Sequence, residues 1–339
     1  MSDRFGATGG LVLGLGLLVV GVSLAFSVGR FPVGLMDLAS ALWSRLSGEP
    51  STLTPAAEAV IFNIRGPRVL AAILCGAALA VAGGAFQGLF RNPLVSPDIL
   101  GASSGAALGA ITGIYISAGI VVIQGLAFAG GLLAVALVYL IGTSIRSGDI
   151  ALVLVLTGVV VGSLLGAGVG LLKYVADPYN QLPAMTFWLL GSLAGTDKND
   201  LLPLFGPIAL GTIILIALRW RINVLSLPED EARALGLATG ALRIAIVAAA
   251  TLVTSASVAA AGIIGWVGLI VPHLARFIVG PEFGRLIPTA ALFGASYLLL
   301  IDTLARSMAQ VEVPLGILTA IIGTPVFIWL LTSARRSWS

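Results

Sequence analysis

The chain has 339 residues, of which 58% are hydrophobic and only 10% charged, and its mean hydropathy is +1.08. So much apolar surface cannot be hidden inside a water-soluble globule of this length, which excludes a soluble domain and points to an all-α protein that crosses a bilayer many times. A net charge of +3 dispersed over separate loops is what membrane-topology signals produce, and it gives no footing to nucleic acid as a partner.

Leu11–Val28 is the first apolar run, preceded by Arg4. A cleavable signal peptide competes for this stretch, since Ala25-Phe26-Ser27 faintly resembles a cleavage site, but the run exceeds the roughly 7–15 residues of such a core. The expectation is a retained helix. From Gly29 to Asn63 the chain is mixed and weakly amphipathic, as suits an extracytoplasmic loop, and a second helix is predicted over Ile64–Phe90. Further spans are predicted near Ile99–Ala118, Val121–Thr143, Ile150–Val175, Leu201–Arg219, Leu242–Gly262, Ile263–Val279, Leu286–Ala305 and Pro314–Thr332. Ten spans place both termini on one side. Beyond the second helix, Arg91, Arg146, Arg219, Arg221, Arg233, Arg243, Arg276, Arg285, Arg335 and Arg336 then fall in inner loops, against Lys173, Lys198 and Arg306 outside, so both termini are expected in the cytoplasm.

Small residues recur at every fourth position in three helices: Gly76, Ala80, Gly84 and Gly88; Gly101, Gly105, Gly109 and Gly113; Gly158, Gly162, Gly166 and Gly170. Such stripes let helix backbones approach closely, because packing rather than hydrophobicity joins helices in lipid. A tightly packed bundle accounts for most of them; part of a stripe bordering a pathway is the sharper alternative. Pro93, Pro97, Pro272, Pro314 and Pro325 are expected at or near helix ends or kinks, as in broken helices beside a cavity.

Motifs for chemistry are sparse. Gly101-Ala102-Ser103-Ser104-Gly105 spells the serine-hydrolase pattern, but that pattern needs a strand, a sharp turn and a helix, and here it opens a membrane helix. His273 is alone, and Cys75 is alone in an apolar run, so neither builds a metal site. A phosphate-binding loop needs Gly-Lys-Ser/Thr, and neither Lys173 nor Lys198, the chain's two lysines, is followed by Ser or Thr. No cofactor is expected, and no catalytic role. Ionisable groups cluster at helix ends rather than mid-membrane, and Asp302 lies within a turn or two of the outer surface, which disfavours an ion-driven carrier.

Two clusters remain. Leu227–Leu237, the charged island LPEDEARALGL, reads as two short helical pieces at a membrane surface, with Glu229, Asp230 and Glu231 after Pro228 at a helix start and Gly236 as a stop. It looks like a place where another protein pushes. Arg65 and Arg68 flank Pro67 at the expected outer start of the second helix, where positive charge opposes the helix dipole and calls for compensation. They are either flanking arginines reaching headgroups or a docking point for carboxylates of an external protein.

The stretch RGPRVLAAILCGAALAVAGGAFQGLFRNPLVSPDILGASSGAALGA, the LPEDEARALGL island, GIIGWVGLIVPHLARF, DTLAR and EVPLGILTAIIGTPVFIWLL together resemble the permeases of iron-siderophore, haem and cobalamin ABC importers, over roughly residues 11–333. The resemblance implies the ten-helix type II importer fold in a bacterial inner membrane, forming a single membrane domain. It implies a homodimer with the path on its two-fold axis, two cytoplasmic ATP-binding subunits and one periplasmic substrate-binding protein. Within a cytoplasmic coupling loop at about 222–241, Pro228, Glu229, Asp230, Glu231, Ala232, Arg233, Ala234, Leu235, Gly236 and Leu237 match the segment that meets the ATPase. Arg65, Arg68 and Arg306 match arginines that receive binding-protein glutamates. Asn92 and Leu94 match a cytoplasmic gate, and Met185–Gly195, with Phe187 and Trp188, matches an external gating helix. The fifth and tenth helices are expected to line the path. Ala151 and Leu152 depart from the family, standing where cobalamin permeases carry small polar residues at a second cytoplasmic constriction. The implied cargo is an iron chelate such as a ferric siderophore, with haem and cobalamin as close alternatives and an ion-coupled carrier or channel as the alternative of another class.

Overall fold

Hydrocarbon offers no water to an unpaired peptide group, so each span must satisfy its backbone internally, and the chain does so as helices. The structure is a computed structural model that describes residues 6–29, 31, 33–51, 53–145, 150–227 and 229–335. In chain order it contains α1 (Ala7–Ser27), α2 (Leu35–Ser47), α3 (Pro55–Ala59), a π-helical segment (Val60–Arg65) and α4 (Gly66–Leu89). A 3-10 turn (Pro97–Leu100) leads into α5 (Ala102–Tyr115), α6 (Ile120–Ser144), α7 (Ile150–Val175), α8 (Gln181–Leu190) and α9 (Lys198–Ala217). Then follow α10 (Arg219–Leu225), α11 (Glu229–Ala234), α12 (Thr239–Ala261), α13 (Val267–Val279), α14 (Phe283–Ser307) and α15 (Leu315–Arg335). No strand occurs among the described residues, so the serine-hydrolase reading of Gly101–Gly105 lacks its scaffold. Arg4, Arg146, Pro228 and Arg336 lie outside the described residues.

Every predicted span coincides with a helix, but among the described residues seven helices are long and apolar enough to cross a membrane alone; α5, α13 and α15 occupy the other three places. Two of the short ones have an identifiable cause. Gly101 (φ 81) interrupts the third predicted span, and Trp266 (φ 72) interrupts the eighth just after Gly262 (φ 70) closes the seventh, so α5 and α13 begin inside the bundle. Their starts meet: a Cβ on Gly268 would lie 2.8 Å from Pro97 and 2.9 Å from the carbonyl of Leu79, midway along α4. Trp266 is a bulky residue at a positive φ, held there with its ring edge-on to Phe327 of α15 at 6.0 Å. Pro97 and Pro314 do stand at helix starts, whereas Pro272 and Pro325 lie within α13 and α15.

The second helix begins well before Ile64. Thr54 caps Pro55, and the helix runs through the π-helical segment into α4 without a break, so Arg65 and Arg68 do not sit in a first turn and the dipole argument for them fails. The preceding stretch is not a plain loop either, since it holds α2 and α3.

Helix α4 is the axis of the packing, buried along most of its length against α14, α12, α13 and α9. Glycines allow this: a Cβ on Gly76 would strike the carbonyl of Gly294 and one on Gly294 that of Gly76, while Gly83 meets Gly268 in the same way. On the second stripe Gly105 faces Gly130 and Gly109 faces Leu126, and on the third only Gly158 is tightly engaged, against Ile99. Gly166 and Gly170 are exposed with nothing within 4 Å, so the third stripe leaves an open small-residue face on α7.

Gly76→Val should destabilise the fold by about 1–3 kcal/mol through overpacking, while Gly166→Ala should change stability by less than about 0.5 kcal/mol. Thermal unfolding of the two variants in detergent checks this.

Candidate functional site

Two polar clusters stand at opposite ends of α4, whose 24 residues put its ends about 36 Å apart. At the first, the start of α4 and the last turns of α14 bring Arg65, Arg68 and Arg306 around Asp302. Arg68 donates from Nε to both carboxylate oxygens of Asp302 at 2.9 and 3.1 Å, and from its two terminal nitrogens to Glu312 at 2.7 and 2.8 Å. Asp302 is 1% exposed and also faces Arg306, one helical turn on, at 3.9 Å. Arg306 donates to the carbonyl of Ala25, and Arg65, itself buried, donates to the carbonyls of Phe26 and Phe31. The three arginines therefore grip the end of α1 and the turn after it, or the acidic pair of α14 and its following loop. Three guanidiniums against two carboxylates leave one surplus positive charge.

The two carboxylates are unequal. Asp302 is the buried counter-ion that makes the cluster tolerable inside the fold, whereas Glu312 is 39% exposed at the edge of the loop before α15. Sequence reading found the arginines but treated Asp302 only as a charge near a surface and overlooked Glu312. The available signal was the Asp302–Arg306 spacing of four on one helix face.

At the other end lie the hairpin α10–α11 and the turn after α4. The island forms one short helix, α11, rather than two; the other short helix, α10, precedes it. Gly236 follows α11 at φ 81, where the amide of Leu237 returns to the carbonyl of Ala232. Ala232 is buried; Asp230, Glu231, Ala234, Leu235 and Gly236 are exposed, while the side chains of Glu229 and Arg233 lie outside the described part. Asn223 on α10 donates to Glu282 at 2.9 Å and accepts from the amide of Phe283 at 2.8 Å, tying the hairpin to the first turn of α14. Although its partial burial opposes ionisation, the amides of Gly284 and Arg285, the Asn223 amide and the Arg285 guanidinium hold the Glu282 carboxyl below its usual range. Arg91, at φ 50, donates to the carbonyl of Leu227 at 3.5 Å, so the turn carrying Asn92 and Leu94 touches the hairpin directly. Arg276, expected in a loop, instead lies in the last turn of α13 and donates to Gln87 of α4 at 2.7 Å; Gln87 in turn donates to the carbonyl of Leu269. Asn223, Glu282 and Gln87 carried no motif, and their roles depend on partners about 60 to 190 positions away in the chain.

Asn92 and Leu94 are exposed, and the Asn92 side chain caps the turn by accepting from the Leu94 amide at 2.9 Å. Leu152 is exposed and Ala151 partly so at the start of α7. Two turns further along α7, Gly158 packs against the carbonyl of Ile99. The expected external gating helix is α8, which begins at Gln181, ahead of Met185, and ends at Leu190. Phe187 is exposed, Met185 is fully buried, and Gly191 at φ 75 packs against Gly262 while its carbonyl accepts from Leu315, joining the ends of α8, α12 and α15.

A bundle built on a glycine-packed central helix, with two helices broken inside it and a charged hairpin tied to its core, has the form of a membrane permease. The FecCD transport family matches residues 17–333, and the chain belongs to that family. It is 38% identical over 320 residues to the molybdate import permease MolB of Haemophilus influenzae, covering 94% of each chain, and 37% identical over 338 residues to the hemin permease HmuU of Yersinia pestis, covering 97% of each. Relatives also include permeases for iron chelates and cobalamin. A solved chain described as a metal-chelate type ABC transporter in an inward-facing conformation matches with TM-score 0.86 and 38% identity, over 95% of this chain and 98% of that one. The chain is thus a multi-pass permease of an ABC importer.

Asp302→Asn should cost about 3–5 kcal/mol by leaving buried guanidiniums uncompensated, against about 0–1 kcal/mol for Glu312→Gln at the exposed edge. Thermal unfolding of both in detergent measures the difference.

Proposed function

We propose that the chain forms, as a homodimer with ten crossings per subunit and both termini in the cytoplasm of a bacterial inner membrane, the path for a metal chelate. Two cytoplasmic ATP-binding subunits engage the loop at about 222–241, and a periplasmic binding protein that delivers the cargo docks on Arg65, Arg68 and Arg306. The chain itself is not an enzyme; with two lysines and no phosphate-binding loop, it draws its energy from the partner. The observation that carries this reading is the wiring of the hairpin. A displacement of α10 and α11 acts on α14 through Asn223 and Glu282, and on the Asn92–Leu94 turn through Arg91 and Leu227. Movement of the hairpin would then alternate a cytoplasmic gate made by Asn92, Leu94, Ala151 and Leu152, with the open glycine face of α7 beside the path.

Docking at the opposite end follows from charge. An incoming carboxylate can take the place of Glu312 on Arg68, since Glu312 is partly exposed, while Asp302 stays as the buried counter-ion. Iron chelates are the favoured cargo, in line with several relatives. A molybdate-type oxyanion is the second reading, favoured by the similarity to MolB.

Leu235→Asp, on the exposed face of the hairpin, should reduce recovery of the ATP-binding subunit in pull-downs at least about tenfold without lowering the melting temperature of the isolated permease. Retained assembly would remove the hairpin from the coupling role. Glu312→Gln should tighten binding-protein affinity several-fold and Arg306→Gln weaken it, as read by surface plasmon resonance on the detergent-solubilised complex. Elemental mass spectrometry and absorbance of the purified binding protein distinguish an iron chelate from molybdate.

A further inference from the structure

Helix α2 presents three distinct sides. Successive helical residues are about 100° apart, which places Leu38, Ala41 and Arg45 together on one side. There Ala41 is buried, Leu38 packs into the core, and the Arg45 guanidinium lies 4.7 Å over the ring of Phe62. Asp37, Ser40, Ser44 and Ser47 form a second, polar side. Leu35, Met36, Ala39, Leu42, Trp43 and Leu46 fall within a sector of about 120° on the third. That third side is entirely apolar and open: Met36 is 84%, Trp43 66% and Leu46 85% exposed.

Protein on one side, apolar side chains on the next and hydroxyls on the last is the arrangement of a helix lying flat where lipid meets water. The helix packs against α1, which follows the same rule in the spanning direction by exposing Val12, Val19 and Val20. The open face of α2 thus stands beside a helix of spanning length that also exposes apolar side chains. Its large side chains are leucine, methionine and tryptophan, the composition of a headgroup-level anchor. Arg65 donates to the carbonyl of Phe26 in the last turn of α1 and to that of Phe31 in the short turn leading to α2.

We propose that α2 is an interfacial membrane anchor, with Leu35, Met36, Leu42, Trp43 and Leu46 inserted among the phospholipids of the leaflet on the arginine-cluster side. The anchor fixes the height of the arginine cluster relative to the membrane surface, because the same short turn holds both. The occupant is the bilayer itself rather than a second protein. This inference depends on the membrane embedding of the chain and not on the docking assigned to the arginines.

Cys75 is the chain's single cysteine and is buried, so a thiol placed on α2 can be labelled selectively. Met36→Cys and Leu46→Cys, each labelled with bimane in the full-length permease reconstituted in phosphatidylcholine/phosphatidylglycerol nanodiscs, should be quenched at least twofold more by phospholipid bearing a 5-doxyl group than Glu49→Cys just beyond the helix. Iodide should show the reverse order. Equal access of iodide to all three positions would overturn the anchor, and so would shielding of positions 36 and 46 from both quenchers, which would mean a covering protein. Should a labelled variant misfold, doxyl-lipid quenching of the intrinsic fluorescence of the unmodified chain, compared with Trp43→Phe, decides the same question: a loss of lipid-quenchable emission in Trp43→Phe is expected, and no difference would sink the proposal.

Discussion

Backbone-to-backbone contact along α4 is the constraint on which the remaining structure rests. Between lipid-embedded helices there is no hydrophobic gain to be had, so contact must come from close packing, and close packing needs positions without a side chain. Gly76 against Gly294 and Gly83 against Gly268 supply it, bringing α14 and the start of α13 onto one helix. Because α13 begins at that depth, Gly268 also seats Pro97, and the two broken segments share one meeting point inside the bundle.

From this axis the polar chemistry is pushed to the ends. Near one end, Asp302 is sealed in by the packing of α14 on α4 and can be charged there only because Arg68 and Arg306 converge on it. Near the other, Gln87 and Arg276 link α4 to α13, while Asn223 and Glu282 link the hairpin to α14. The helices that meet at the glycine contacts are thus the ones gripped by polar bonds at both extremities. A rigid central pair with charged handles is suited to passing displacement from one membrane face to the other, since a close-packed interior transmits strain rather than absorbing it.

Much of this was legible in the sequence for physical reasons that act locally. Apolar runs of spanning length mark the helices, small residues at every fourth position mark the close contacts on α4 and α5, and the LPEDEARALGL island holds a short helix followed by a glycine stop, though one helix and not two. What failed also failed physically. The length of an apolar run does not reveal a positive φ, so the breaks at Gly101 and Trp266 turned two expected spans into short helices. Hydropathy does not distinguish a loop from a helix lying along the surface, so α2 was missed, and the π-helical continuation through Arg65 could not be foreseen beside Pro67.

The sequence alone determined the class: a bilayer protein lacking the Gly-Lys-Ser/Thr motif, with arginines near Pro67 and one acidic island, because composition and short-range motifs depend only on neighbouring residues. Only the tertiary structure decided which charges meet. Arg68 lies 234 positions from Asp302 and 244 from Glu312, and Gln87 lies 189 from Arg276. Such pairings are set by how helices stack in three dimensions, and no local pattern encodes that.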